Sequence, residues 1–315
     1  MITLDRISRI AFGCDPLGGH NWGNVDPDRI TAAIPYAIDR GVTLFDTADC
    51  YGSGLSEERL GKALGARRNE VLIATKVGVR IRADGKTFID NRAEWIVEAV
   101  EASLRRLGTD VIDVYQLHWW DKSTPFDAIF ETLERLVTSG KIRAYGTTNV
   151  TLDEIGVKSA DELPDNLLTS SMEFSLVHVA NRSAIETMCN NERKPITFLA
   201  WGSLGGGILT GKYRSPEDLE TSDRRLKRAD SHFVGQRLKR NLEIVELCRS
   251  IAAGHGPDVK ISQVALQWIG RTLGFGCCLV GIKSREQLED AISAFNFRLT
   301  DTEIKQLDGK AYGAC

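Results

Sequence analysis

The sequence lacks long hydrophobic runs. In its 315 residues, no stretch approaches the roughly 18 consecutive apolar residues typical of a membrane-spanning helix. The opening MITLDRISRI also lacks the apolar core of a secretory signal peptide. We therefore expect a protein that does not associate with a membrane and, by default, a cytoplasmic location.

Net charge and cysteine spacing exclude further classes. The formal net charge is only −3, so no strong electrostatic attraction to nucleic acid is expected. The seven cysteines lack the CxxC spacing of structural zinc sites, and their odd number argues against a disulfide framework. We predict reduced thiols, no metal and no nucleic-acid partner.

The chain does contain enough apolar residues for a full core, at 42% hydrophobic and 26% charged. Eight short strand-like runs alternate with amphipathic helical segments, of which 92–108 is an example ending at Gly108. The runs are 7–13, 42–48, 70–76, 110–118, 141–149, 167–174, 196–203 and 277–282.

Eightfold alternation of strand and helix predicts parallel strands joined by right-handed crossovers. Such strands close most simply into a (β/α)8 TIM barrel, and an open doubly wound sheet is the alternative. We expect one domain over 1–315. The interval after the seventh run is the longest, and 208–233 within it has no convincing apolar period. A loop of this length is predicted to cover a binding site.

Ionisable residues stand at the ends of three successive predicted strands. Asp46, Lys76 and His118 each finish a row of side chains that alternation places on one face of a strand. The carboxyl ends of barrel strands form the mouth where barrel enzymes keep their active sites. Tyr51 follows in the loop after Asp46. Each residue alone is readily explained as a cap, a solvated charge or a core group, but the four together predict a site.

The chemistry of the set favours proton transfer to an oxygen atom. A phenol has a pKa of about 10, too high for ready proton exchange near neutrality. An ammonium roughly 4 Å away, in an effective dielectric constant of about 20, favours phenolate by about 4 kcal/mol before desolvation. Lys76 can therefore tune Tyr51 while Asp46 holds Lys76 charged. His118 could hydrogen-bond a substrate oxygen or relay the proton.

Sequence motifs along nearly the whole chain support one family. They are FGCDPLGG near residue 12, GLSEERLGKAL (54–64), ATKVG (74–78), LRRLGTDVIDVYQLHW (104–119), GTTN (146–149), AWGSLGGGILTGKY (200–213) and GIKSREQLE (281–289). With these motifs the sequence resembles the aldo-keto reductases, whose signature tetrad is Asp, Tyr, Lys and His. The tetrad matches at Asp46, Tyr51, Lys76 and His118.

The resemblance implies a barrel that binds NADP(H) in extended form without a Rossmann domain. Consistently, no GxGxxG with the required strand and helix is present. The stretch from Gly206 to Lys212 imitates a phosphate-binding loop, but Tyr213 stands where an ATP site needs a magnesium-binding hydroxyl. The resemblance instead makes this Gly-rich segment part of the cover over the cofactor.

Cofactor-binding residues follow from the same resemblance. Trp201 is expected to stack on the nicotinamide, while Thr148 and Asn149 contact its carboxamide and Ser171 stands where a Gln is usual. Lys283, Ser284 and Arg285 match the patch beside the adenosine 2′-phosphate, where cations would favour NADP over NAD, although Ser284 could simply cap a helix. The remaining predicted contacts are Gly202, Ser203, Leu204, Gly206 and Lys212 at the pyrophosphate, and Lys283, Ser284 and Gln287 in the phosphate motif.

Three tryptophans could line the substrate pocket. Trp22 lies in the loop after the first run, and Trp119 and Trp120 follow the fourth. Flat apolar rings at the mouth would suit a sugar or an aromatic carbonyl compound. Packing within the loops is the alternative for each.

The leading hypothesis is an NADPH-dependent reductase that converts an aldehyde or ketone to an alcohol, with hydride from nicotinamide and a proton from Tyr51. Oxidation of a sugar or alcohol uses the same residues. A cofactor-binding regulatory subunit, like the β subunits of potassium channels in the same family, is a second class. An isomerase with Lys76 or His118 as base is a third, but it leaves Tyr51 unexplained. The oligomeric state is not predicted.

Overall fold

The protein is a closed barrel of eight parallel strands. The computed structural model describes residues 6–19, 25–82, 84–189, 193–194, 196–221, 223–227, 231–273 and 276–312. Its strands are β1 (Ile10–Gly13), β2 (Leu44–Asp46), β3 (Leu72–Val77), β4 (Val79–Ile81), β5 (Thr87–Ile89), β6 (Ile112–Leu117), β7 (Ile142–Thr148), β8 (Leu167–Glu173), β9 (Thr197–Trp201) and β10 (Cys277–Gly281). The barrel order is β1-β10-β9-β8-β7-β6-β3-β2. The predicted barrel is confirmed, and the open sheet is wrong.

Helices surround the barrel. They are α1 (Pro27–Asp39), α2 (Leu55–Leu64), α3 (Ala93–Leu107), α4 (Phe126–Thr138), α5 (Leu152–Ile155), α6 (Arg182–Cys189), α7 (Arg224–Lys227), α8 (Gly235–Gly254), α9 (Ile261–Leu273), α10 (Arg285–Ile292) and α11 (Asp301–Tyr312). Helix α3 ends as its sequence predicts, because Gly108 takes a left-handed conformation with φ of 63°. No helix within the described ranges combines the length and apolar character needed to cross a membrane.

The strands of the barrel enclose a small apolar core. Its members are the inward-facing residues Ala11, Leu44, Leu72, Ala74, Val114, Leu199, Cys277 and Leu279. A second, larger cluster fills the space between the strands and the helices. The interior is therefore packed with side chains, so any binding site on the barrel must lie at one of its ends.

Strand register brings the predicted ionisable residues to the same end. Asp46 pairs with Gly13 on one side and Ala74 on the other, and Lys76 pairs with Gln116. Because the strands are parallel, the carboxyl ends of β2, β3 and β6 lie together at the mouth.

Two parts of the mouth differ in how well the sequence predicts them. The segment 208–233 contains only short helical pieces in its described residues, as its lack of apolar period predicts. The antiparallel hairpin β4–β5, by contrast, is not predicted by the sequence. It follows β3 directly, and Arg80 lies 3.9 Å from the ring of Trp95 and 5.3 Å from that of Phe88.

A buried polar network supports the loop that carries Tyr51. Glu57 of α2 is fully buried and accepts hydrogen bonds of 2.6 Å from both Thr75 and Arg106. Gly54 at the start of α2 has φ of 95°, and a Cβ there would lie 2.6 Å from Cδ of Arg106. Helix α3 thereby fixes the start of α2 and the turn before it.

Asp49 lies beside this network. Burial raises the pKa of Asp49 to about 8, the charge of Glu57 adds to the increase, and Arg106 opposes it. Oδ1 of Asp49 is buried without a hydrogen-bond partner among the described residues. Since the unfolded-state pKa is near 4, the folded state retains a proton that the unfolded state releases between about pH 4 and pH 8.

Helices α2 and α3 also make a close backbone contact. A Cβ on Gly61 of α2 would lie 2.3 Å from the carbonyl oxygen of Leu107. A backbone atom cannot rotate away as a side chain can, so this site requires glycine. At Gly309 in α11, by contrast, an added Cβ would meet nothing within 4 Å among the described residues.

We expect Gly61→Ala to destabilise the protein by about 1–3 kcal/mol because it forces α2 and α3 apart. Gly309→Ala serves as the matched control and should stabilise by about 0.5–1 kcal/mol, because alanine loses less backbone entropy in a helix. Denaturant unfolding followed by far-UV circular dichroism measures both. Equal midpoints for the two variants would contradict the contact.

We expect Asp49→Asn to gain stability relative to the wild type as pH rises. As the pH rises from about 4 to about 8, the wild-type carboxyl lowers the free energy of unfolding progressively, because its proton is released more easily in the unfolded state. Asparagine cannot ionise and has no such effect. Between about pH 5 and about pH 8.5, the free energy of unfolding of the variant should increase by about 1 kcal/mol or more relative to that of the wild type. Denaturant titrations at both pH values measure it, and a difference that does not change with pH would refute the buried protonated carboxyl.

Candidate active site

A buried ion pair forms the floor of the barrel mouth. Nζ of Lys76 donates hydrogen bonds to Oδ1 and Oδ2 of Asp46 at 2.7 and 2.8 Å, and to the carbonyl oxygen of Thr47 at 2.8 Å. Lys76 is 2% exposed and Asp46 5%. Burial raises the pKa of Asp46, while the Lys76 ammonium opposes that increase. All three donor positions of the ammonium are thus directed at fixed acceptors.

Tyr51 lies over this ion pair. The ammonium of Lys76 is 5.1 Å from the centroid of the Tyr51 ring. The ring is positioned by a tight turn, because Gly52 has φ of 61° and a Cβ there would lie 2.2 Å from the carbonyl oxygen of Gly18. The short helical turn after β1 and the loop after β2 therefore lock together and hold the phenol above Lys76.

His118 completes the group. Its ring meets that of Tyr51 edge to face at 5.9 Å between centroids, and its Nδ1 lies 3.6 Å from the sulfur of Cys50. Burial, with a smaller effect of the Lys76 charge, holds the pKa of His118 well below its usual value. The structure thus brings Asp46, Tyr51, Lys76 and His118 together, and the imidazole is neutral at physiological pH.

Trp201 and Asn149 form a second wall of the mouth beside the tetrad. Nε1 of Trp201 donates to Oδ1 of Asn149 at 2.9 Å, and Nδ2 of Asn149 is 3.5 Å from the carbonyl oxygen of His118. Asn149 has φ of 59°, an uncommon conformation for a residue other than glycine. The contacts fix Trp201 at the end of β9, next to the residues predicted to carry the chemistry.

A buried hydroxyl at this wall is unsatisfied. Oγ1 of Thr148 is buried and has no hydrogen-bond partner in the described part of the chain. A water molecule, an ion or a ligand can supply the partner that such a hydroxyl needs. An amide such as the nicotinamide carboxamide fits this requirement, since Thr148 and Asn149 lie side by side next to the indole of Trp201.

Two other predicted cofactor residues use their hydroxyls within the protein. Ser171 donates to the carbonyl oxygen of Leu199 at 2.8 Å, and Ser203 donates to that of Ala200 at 2.7 Å. Both side chains are buried. Their hydroxyls join β8 and the turn after β9 to the backbone of β9, and contact with a cofactor stays a prediction for each.

The Gly-rich segment after β9 is held open by glycine conformations and by one arginine. Gly202, Gly206 and Gly207 have φ of 66°, 65° and 103°. Nη1 of Arg225 donates to the carbonyl oxygen of Gly206 at 2.8 Å, and the same guanidinium makes paired hydrogen bonds with Asp223. Glycine is needed here for the backbone conformation and for close packing, because a Cβ on Gly206 or Gly207 would meet side chains within 3.4 Å.

Leu204 and Lys212 lie at either end of that segment. The carbonyl oxygen of Leu204 accepts from the amide of Gly207 at 2.9 Å, which closes the turn. Lys212 is exposed, with its ammonium 4.9 Å from the ring of Tyr213.

The predicted phosphate motif forms the start of α10. Ser284 caps the helix by accepting from the amide of Gln287 at 3.3 Å, and Oε1 of Gln287 accepts from the amide of Lys283 at 2.9 Å. The neighbouring Arg285 turns away, because its guanidinium donates to Ala32 of α1 at 3.1 Å. Lys283 is therefore the cation that this end of α10 contributes to the mouth.

The cover and the start of α10 are close to each other. Burial raises the pKa of Asp223, but hydrogen bonds from Arg225 and the charge of Lys283 together bring it below its usual value. The segment after β9 and the start of α10, both expected to contact the cofactor, are thus close enough for their charges to interact.

The three tryptophans predicted for the substrate pocket have different environments. Trp119 is 43% exposed. Trp120 packs against Phe126 at 4.8 Å between centroids and donates to Thr124 at 2.8 Å, so its ring is engaged within its own loop. Trp22 lies outside the described residues. Of the two that are described, Trp119 is the more exposed.

Several residues of the site are not found from the sequence. Cys50 and Arg225 are not among the residues that the sequence predicts for the site. Asp49 and Glu57 do not stand out at all. The contacts of Cys50 with His118 and of Glu57 with Arg106 join residues far apart along the chain, and such contacts leave no spacing signal in the sequence.

Comparisons with known proteins agree with this geometry. Residues 9–311 match the sequence model of the Aldo/keto reductase family. The chain is 34% identical to the aldo-keto reductase YhdN of Bacillus subtilis, with 96% of this chain and 89% of that protein covered. It is 30% identical to the aldo-keto reductase yakc [NADP(+)] of Schizosaccharomyces pombe, with 97% and 89% covered.

A solved structure extends the agreement to three dimensions. The glycerol dehydrogenase AKR11B4 from Gluconobacter oxydans superimposes with a TM-score of 0.83 at 32% identity, covering 96% of this chain and 91% of that one. Sequence and fold agree over almost the full length. The chain belongs to the aldo/keto reductase family.

Proposed function

We propose that the protein is an NADP(H)-dependent oxidoreductase that reduces an aldehyde or ketone to an alcohol. The observation that carries this proposal is the Tyr51 ring placed over the Lys76 ammonium, beside an indole at the mouth of the barrel. A phenol above a buried cation is a proton donor, and a flat ring next to it suits a nicotinamide. Bound NADPH would supply the hydride.

Tyr51 protonates the substrate oxygen in this proposal. The Lys76 ammonium favours the phenolate that remains, since an ammonium and an oxyanion attract strongly when water is excluded. Asp46 keeps Lys76 charged and holds its nitrogen in place through two hydrogen bonds. In the oxidative direction the same phenolate accepts the proton.

His118 orients the substrate oxygen, and Cys50 sets its tautomer. Burial raises the pKa of the Cys50 thiol to about 12, so the thiol keeps its proton near neutral pH. A neutral imidazole nitrogen accepts a hydrogen bond better than sulfur does. The thiol therefore donates to Nδ1, which places the imidazole proton on Nε2. That N–H is then available to a carbonyl oxygen bound next to Tyr51.

Residues of the second wall and the cover would hold the cofactor. Trp201 faces the nicotinamide, Thr148 and Asn149 bind its carboxamide, and the Gly-rich turn from Gly202 with Lys212 lies along the pyrophosphate. Lys283 would bind a 2′-phosphate, which favours NADP over NAD. The Schizosaccharomyces pombe relative carries NADP(+) in its name, which supports this preference.

Two alternatives remain of interest. The Gluconobacter oxydans neighbour is named a glycerol dehydrogenase, so oxidation of a hydroxylated compound is the alternative direction, and the exposed ring of Trp119 would suit such a substrate. A regulatory subunit that binds cofactor without turnover is the alternative class.

A cytoplasmic location is part of the proposal, supported by the six described cysteines, all of which are free.

We expect purified protein to oxidise NADPH on addition of at least one member of a panel of aldoses, ketones and aromatic aldehydes. Tyr51→Phe should lower kcat by about 100-fold to 10,000-fold because the proton donor is lost. NADPH binding, followed by quenching of tryptophan fluorescence, should change little. Tyr36→Phe, on α1, is the control and should retain activity. Tight NADPH binding without turnover of any substrate would favour the regulatory subunit.

Lys283→Ala should weaken NADPH binding about tenfold to 100-fold, because a charge-assisted contact with phosphate is lost. Binding of NADH, which has no 2′-phosphate, should change less than about threefold. Arg285→Ala is the matched control, since that guanidinium is directed at α1. Fluorescence titration with both cofactors measures the effects. Equal losses for NADPH and NADH would assign Lys283 to another role.

A further inference from the structure

Three potential metal ligands meet on the other side of the barrel mouth from the tetrad. One donor atom each from Glu173, His178 and His232 lies within 4.8 Å of the other two. Nε2 of His232 is 3.3 Å from Oε1 of Glu173, and the rings of His178 and His232 are 6.3 Å apart at centroids. Glu173 is buried, and the two imidazoles are partly buried.

The backbone around these side chains is fixed by its own hydrogen bonds. Ser175 and His178 exchange backbone hydrogen bonds of 3.0 and 2.9 Å, which form a tight turn after β8. Asn241 donates to the carbonyl oxygen of His232 at 3.1 Å, and Asn181 donates to that of Glu173 at 3.0 Å. A site built on such a framework needs only side-chain adjustments to bind an ion.

We propose that Glu173, His178 and His232 form a binding site for a divalent transition-metal ion of the zinc type. Two imidazole nitrogens and one carboxylate oxygen are a donor set that Zn²⁺ accepts, with water as the fourth ligand. Tetrahedral ligands at bond lengths of about 2.0–2.1 Å are about 3.3 Å apart. The separation of Glu173 and His232 already matches that distance, and the donor atom of His178 lies within 4.8 Å of both.

An ion at this site would affect the cover, the long segment after β9, because the segment lies next to the three ligands. A Cβ on Gly202 would lie 3.3 Å from Oε1 of Glu173, and one on Gly205 would lie 3.8 Å from Cδ2 of His232. The Gly-rich turn therefore passes directly over the ligands. An ion would join the end of β8, the turn after it and the far end of the long segment after β9. It would thereby limit the motion of the cover.

Metal binding is tested on protein freed of metal with a chelator, in the absence of cofactor and substrate. Zn²⁺ is titrated by calorimetry and thermal unfolding, and Co²⁺ serves as the spectroscopic probe. We expect one equivalent of Zn²⁺ and a rise in Tm of several degrees, because an ion that binds only the folded state stabilises it. The Co²⁺ spectrum should show nitrogen and oxygen ligation without thiolate bands.

Variants of the ligands separate this site from other metal-binding groups. His178→Ala and His232→Ala should each weaken Zn²⁺ binding about tenfold or more. Glu173→Gln keeps the shape of the side chain and should also weaken it. The control is His255→Ala, which removes a histidine paired with Glu303 at the end of α8 and should leave binding unchanged. Far-UV circular dichroism and the Tm without metal confirm that each variant folds.

Two outcomes would overturn the proposal. One is that Zn²⁺ neither binds stoichiometrically to the wild type nor raises its Tm. The other is that binding persists unchanged in both histidine variants. In either case the three residues form only a hydrogen-bonded cluster. Since neither cofactor nor substrate is present, the result does not depend on whether the protein is an oxidoreductase.

Discussion

The buried ion pair between Lys76 and Asp46 is the interaction on which the proposed active site depends. Removing two charges from water costs free energy that close geometry must offset, and here the ammonium has three fixed acceptors on Asp46 and Thr47. Such a pair contributes little net stability, so its value lies in the position of the charge. A cation fixed under the Tyr51 ring can stabilise a phenolate, whereas a mobile lysine would be solvated. The pleat and register of β2 and β3 set that position, because both side chains point into the same end of the barrel.

The rest of the mouth is organised to hold Tyr51 over that cation. The phenol is on a loop, which would ordinarily be mobile, and three contacts restrict it. Gly52 meets Gly18 in a backbone approach that excludes any larger residue, Gly54 rests on Arg106, and Arg106 binds the buried Glu57. A side chain on a loop can therefore be as well positioned as one on a strand, provided that packing from below fixes the loop. Asp49 remains protonated over a wide pH range in this surrounding, which avoids a further negative charge near the ion pair.

The sequence predicts the barrel, and the meeting of Asp46, Lys76 and His118 at its mouth, for a common physical reason. Alternation along a strand is a local property of the sequence. The runs that end at Asp46, Lys76 and His118 therefore predict both that each segment is a strand and which of its side chains face the barrel interior. The hairpin β4–β5 escapes prediction because its short strands are partly exposed, whereas the equally short β2 is fully buried and belongs to a longer apolar run. The contacts of Glu57 with Thr75 and Arg106, and of Cys50 with His118, escape it because they depend on folding. The ring of Trp120 is a candidate for the substrate pocket by sequence, yet Phe126 from the next helix occupies its face.

Polar side chains at the mouth form two groups on opposite walls of the barrel. Strands β2 and β3 carry the ion pair, while β8 and the segment after β9 carry Glu173, His178 and His232. In the first group a lysine compensates the acid, so an added cation would be repelled. The second group contains a carboxylate and two imidazoles, which are suitable ligands for a cation. Glu173 and His232 are 59 positions apart in the sequence, so the long segment must fold back across the mouth to bring them together. Whatever binds those side chains therefore acts on the same segment that is expected to close over the cofactor.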